Sequence, residues 1–126
     1  MLKLEETKET KISKELENKI LALKHQMKLE DAISVCKTAI ESDPTNAKWH
    51  IYLGDIYIQK HLDIFESRQY IDEAVTEYQR ALESNINPTV VHYKIAHARF
   101  LNGEIDKALN HVNISINLRY VQEYHF

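Results

Sequence analysis

EDAISVCKTAI (residues 30–40), DEAVTEYQRAL (72–82) and DKALNHVNISI (106–116) align without gaps. Each opens with an acidic residue two positions before an alanine and carries a small residue seven positions after that alanine. The pairs are Ala32 with Ala39, Ala74 with Ala81, and Ala108 with Ser115. The first alanines lie 42 and then 34 residues apart. A fixed period of this size marks a repeat architecture, in which each unit is one supersecondary element.

The helices that precede these stretches can be phased independently. Ile20, Gly54 and Ala96 mark the equivalent place in the three first helices, at spacings of 34 and then 42. First helices thus keep the short period between units one and two, and second helices keep it between units two and three. One solution satisfies both: about eight extra residues sit inside unit two, between Gly54 and Ala74. The segment HLDIFESR (61–68) there has neither Gly nor Pro, so the reading is about one extra turn on each helix of that unit, with a loop as the alternative. The phasing predicts helices near 14–26, 29–42, 47–62, 68–84, 89–102 and 105–118. A charged, flexible tail (1–13) precedes the three-repeat domain (14–118), and a short segment (119–126) follows it.

Small residues such as Gly54, Ala74, Ala81, Ala96 and Ala108 let helix axes approach closely, and a helix pair buries its apolar stripes only by stacking on neighbours. Pro44 and Pro88 separate the units, since proline cannot donate the hydrogen bond of a helix interior. With 126 residues the length suits one domain, and 2 Gly and 2 Pro leave few of the breakers that strands and hairpins need.

The phased residues Trp49, Leu53, Gly54, Tyr57, Ala74, Tyr78 and Ala81, the Asp43-Pro44 stop, and Gly103 before Ala108 make the chain resemble tetratricopeptide repeats over about residues 14–118. It departs from that pattern in having Ile20 where Gly or Ala is usual, Arg99 for an aromatic, Pro88 two positions late and Trp49 one early. The resemblance implies an all-α fold, a right-handed superhelical solenoid of three antiparallel helix pairs. It also implies a concave face, lined by the first helices, that takes a peptide or helix of a client protein.

Projecting the helical period from Leu53, Gly54 and Tyr57 puts Ile51, Tyr52, Asp55 and Ile58 on that inner face, along with Lys48 and Gln59. The equivalents in unit three are Tyr93, Lys94, His97, Phe100 and Leu101, and unit one offers Glu17, Leu21, Lys24 and His25. So many large apolar residues on one exposed face mark a contact site, the alternative being that some of them belong to the core with the register shifted by one residue. The carboxylate clamp of chaperone-binding relatives is disfavoured: at its places stand Glu17, Leu21, Tyr52, Val90 and Lys94, of which only Lys94 is a suitable donor.

Other chemistries find little support. A formal net charge of -3 gives no basic excess for a phosphate backbone, so nucleic acid is not expected as a partner. MLKLEETKETKISK has no apolar run, so neither a signal peptide nor membrane insertion is expected, and the location is read as cytoplasmic. Of the seven histidines, none forms an HExxH or an i, i+4 pair, so no metal is expected. No phosphate-cradling glycine loop and no nucleophile–base motif occurs; the protein is read as cofactor-free and not an enzyme. Cys36 falls on the apolar stripe of its helix and reads as an inert buried thiol. The reading is therefore a protein-binding adaptor or assembly chaperone. The alternative is a self-associating scaffold, a homo-oligomer acting through the exposed repeat ends.

Overall fold

The computed structural model describes residues 7–63, 68–84 and 86–124, the side chains of 120–124 excepted. Six helices follow one another: α1 (Lys8–His25), α2 (Leu29–Ser42), α3 (Ala47–Asp63), α4 (Arg68–Leu82), α5 (Pro88–Leu101) and α6 (Ile105–Tyr124). Among the described residues there is no strand. Each helix packs on the next along the chain, most extensively α3 on α4 and α5 on α6.

Local chemistry sets the boundaries. Thr7 caps α1 by accepting from the Thr10 amide at 3.1 Å, so the helix begins at Lys8 and takes in residues 8–13, which the sequence reading assigned to the tail. Asn87 caps α5 by accepting from the Thr89 amide at 3.0 Å. Pro88 follows as the first helical residue, where its missing N–H costs nothing. Pro44 lies beyond the end of α2. The two prolines thus serve differently, one closing a unit and one opening the next.

The ends of α1 and α5 share one geometry. Lys28 N donates to Leu23 O and Met27 N to Lys24 O; Glu104 N donates to Arg99 O and Gly103 N to Phe100 O. This is the paired 6→1 and 5→2 bonding that closes a helix through a left-handed residue. That residue is Gly103, with φ 76, in one case and Met27, with φ 59, in the other. Both stand five positions before the aligned alanines, Ala32 and Ala108.

The expected extra turn on each middle helix is seen only in part: α3, with 17 residues, exceeds α5, with 14, but not α1, with 18, and α4, with 15, exceeds α2, with 14, but not α6, with 20. The remaining inserted positions, 64–67, lie outside the described residues. The sequence places the end of the last helix near 118, but α6 runs to Tyr124 because nothing after Gly103 breaks it. Positions 119–124 therefore extend α6 rather than form a separate segment. The placement of the aromatic side chains beyond Arg119 lies outside the described residues.

The small residues do what their spacing requires. Ala32, Ala74 and Ala81 are wholly buried. At Gly54 a Cβ would stand 2.5 Å from the Tyr78 ring, so only glycine allows α3 and α4 to approach this closely. Ile20, Leu53, Ile56, Ile71, Tyr78, Val91 and Ile95 fill the core around them. Cys36 is fully enclosed, and burial pushes its thiol up to about 12, an unreactive group as read.

A polar cluster is buried inside the stack. His50 Nδ1 lies 2.7 Å from Glu77 Oε2 and His50 Nε2 lies 2.9 Å from the Pro44 carbonyl, while Arg80 donates to the other Glu77 oxygen at 2.6 Å. Both ring nitrogens thus lie within hydrogen-bond distance of an oxygen, which holds the buried ring in place. Glu77, in turn, finds the two donors a buried carboxylate needs.

Candidate functional site

The first helix of each unit contributes to one surface. Lys48 Nζ reaches back from α3 to Ser13 Oγ and Glu17 Oε2 on α1 at 3.1 and 3.2 Å, and the Tyr52 hydroxyl donates to Glu17 Oε1. The Tyr52 hydrogen bond, then Lys48, hold the Glu17 carboxyl below its usual range despite some desolvation. Farther along, Gln59 meets the Met27 sulfur. Residues early in α1 thus meet residues early in α3 and late ones meet late ones, so the two helices run side by side in the same direction. Asp55 repeats this role between α3 and α5, accepting from Lys94 Nζ at 2.9 and 3.0 Å and from the Tyr78 hydroxyl at 2.6 Å. Burial, reinforced by Asp55, pushes the Tyr78 hydroxyl far up, so it stays a donor.

Between these cross-links an open groove of about 600 Å³ lies between α3 and α5, with Lys24 of α1 at its edge. Asp55, Ile58, Tyr93, Lys94 and His97, five of the nine residues predicted for the partner site, line it together with Gln59, Leu62, Tyr78 and Val90. Chemically the groove offers apolar walls and a floor on which Asp55 and Lys94 are already paired.

The other four predicted residues are placed differently. Ile51, Tyr52 and Leu101 are half-buried and pack against the core, so they support the surface from beneath rather than form it. Ile58 is itself 7% exposed and shows the groove only an edge. Phe100 is 61% exposed, but it opens onto a second hollow between α5 and α6. Tyr93 and His97 border both.

Compared with known proteins, the chain matches no family model and no curated sequence. The site is therefore read from its own geometry.

Reasoning from single helix faces missed two features. Tyr78 belongs to a second helix and reaches the groove because Gly54 leaves room for its ring; the small residue at 54 was the available signal. Ile105, Leu109, Val112 and Ile116 form a stripe at four-, three- and four-residue steps on α6, which a projection restricted to first helices did not consider. Linear spacing also hid the approach of His92 to His111, whose Nδ1 atoms are 3.1 Å apart across α5 and α6. Burial lowers both imidazoles below the ordinary histidine value. Among the described residues no group of three or more His, Cys, Asp or Glu could hold a metal ion. No described helix is long and apolar enough to cross a membrane.

Proposed function

We propose that this chain is a tetratricopeptide-type domain, a right-handed superhelical solenoid of three helix pairs, that binds a peptide or helix of a client protein as a cytoplasmic adaptor or assembly chaperone. The carrying observation is that residues chosen from repeat phase alone, Asp55, Ile58, Tyr93, Lys94 and His97, line one open groove. Helix stops of the same geometry, at the same offset, before Ala32 and Ala108 support the repeat reading. So does the side-by-side course of α1 and α3. In this reading apolar side chains of the client lie against Ile58, Val90 and Tyr93, and Lys24 and His97 fix its polar groups. The ionisable groups on the groove floor are committed to one another, which suits a binding surface better than a catalytic one.

The test is capture of interacting proteins from the native source by the parent and by a Tyr93→Ala/His97→Ala double variant. Both residues are exposed, so the fold survives, as circular dichroism will verify. A protein held by the parent and lost by the double variant supports the groove. Capture that is identical for both proteins removes it.

A further inference from the structure

We infer that the outer face of the α5–α6 pair is a self-association surface, on which a second copy of this chain docks about a two-fold axis. Among the described residues α2 is covered by α3 and α4 by α5, whereas the outer face of α5–α6 is exposed. The uncovered face is nevertheless built like an interior. Val90, Tyr93 and Phe100 on α5 and Ile105, Leu109 and Ile116 on α6 are all exposed, six of the ten exposed large apolar residues among those described. About half exposed, the two aromatic side chains present roughly 200 Å² and the four aliphatic ones roughly as much again, in all on the order of 400 Å² of apolar surface. A standard interface buries roughly 800 Å² per partner, so this patch with its polar rim approaches what a stable dimer needs.

Shape and charge select the occupant. Phe100 and Tyr93 project beside a hollow of about 290 Å³ bordered by the small residues Ala96 and Ala108. A surface carrying both projection and hollow is self-complementary, since a two-fold rotation brings the aromatic ring of each copy to the hollow of the other. The hollow holds no lysine, arginine or carboxylate, and Arg119 stands farther along beside Val90 and Ile116, so the aromatic rings enter the hollows without burying like charge. Head-to-tail stacking fits poorly. The opposite end of the stack presents Lys8, Glu9, Lys11, Glu15 and Lys19 on α1, all exposed, and their desolvation would cost more than the contact returns. Pairing like faces closes at two copies and leaves the charged ends in water.

Light scattering and sedimentation equilibrium of the full chain test this, with Leu109→Glu and Phe100→Glu against Leu21→Glu on α1. The parent is expected to dimerise at micromolar concentrations. Each α5–α6 variant should weaken the dimer at least about tenfold, the usual loss for a central interface residue, and Leu21→Glu should leave it intact. A parent that stays monomeric at hundreds of micromolar overturns the proposal. So does a dimer indifferent to both variants, open-ended growth, or dissociation by Leu21→Glu. If Leu109→Glu loses helical signal, Leu109→Ser at this 55% exposed position makes the same test. Val90 and Tyr93 border both surfaces, but neither Leu109 nor Phe100 lines the α3–α5 groove, so Leu109→Glu and Phe100→Glu, assayed for client capture as well, separate loss of the dimer from loss of the groove.

Discussion

The two ends of the helix stack are built from aligned sequence yet have opposite outer surfaces. At the α1–α2 end, Ala32 and Ala39 are sealed inside and the outward face of α1 is mostly charged, with Ile12 and Leu21 its exposed large apolar residues. At the α5–α6 end the aligned residues Ala108 and Ser115 lie nearer the surface, and large apolar side chains surround them. The repeat fixes how helices pack within a pair and leaves the outward residues free to vary. An end of a stack becomes either a solvated cap or a contact surface through those residues alone.

The largest expected effect separates enclosed from open positions. Ala32 has no space on any side, so Ala32→Leu should overpack the α1–α2–α3 contact and cost about 1–3 kcal/mol. At Ala108 an added side chain can extend into the hollow beside Phe100 and Leu109, and Ala108→Leu should cost less than about 1 kcal/mol. Chemical unfolding of both variants measures the difference. Equal losses would mean that the two ends are packed alike and that the comparison fails.

A smaller effect of either sign is expected at the shared helix stop. Met27 holds φ 59 and Gly103 holds φ 76, and the left-handed region costs a non-glycine residue roughly 1–2 kcal/mol. Met27→Gly should therefore raise stability by up to about 1 kcal/mol, reduced by the greater freedom of glycine in the unfolded chain. Gly103→Ala should lower it by a similar amount; its Cβ would meet nothing within 4 Å, so any loss reports backbone strain rather than a clash. Thermal unfolding of the two variants in parallel decides whether the two stops are equivalent.

These residues also show what the sequence could and could not convey. Helix number and most boundaries follow from the spacing of small residues, because close packing leaves no alternative at Gly54, Ala74 or Ala81. The start of α1 was misplaced because a single Thr7 cap outweighs a charged composition. Five groove residues followed from one helical period, whereas Ile51, Tyr52 and Leu101 did not. A face projected from one helix does not register what a neighbouring helix covers. Tyr52 is drawn inward by Glu17, 35 positions away, and no local pattern encodes that pairing. The α6 stripe was legible as periodicity, but periodicity does not tell whether another helix covers a stripe, which is a property of the assembled stack.

The smallest expected effect is in the response of the two ends to acid. At the α5–α6 end His92 and His111 have their imidazoles lowered by burial, and His111 also by His92 and Arg99. The folded protein thus binds these protons less readily than the unfolded chain does. Their contribution to stability is complete above the unfolded histidine value of about 6.5 and declines as pH falls through it. At the α1 end the Glu17 carboxyl is lowered, chiefly by the Tyr52 hydroxyl and then by Lys48. Its contribution is present above the unfolded glutamate value of about 4.3 and is lost as pH falls through the lower folded value. Acidification should therefore loosen α5–α6 first, as pH falls below about 6.5, and the α1–α3 link only below about 4.3. Amide hydrogen exchange resolved by helix reads this order directly. His111→Asn should reduce the first step, leaving the part that burial of His92 contributes, and keep the second, while Glu17→Gln should keep the first and remove the second. Simultaneous loss of protection in both ends, or a first step unchanged in His111→Asn, would show that neither group sets the local stability of its end.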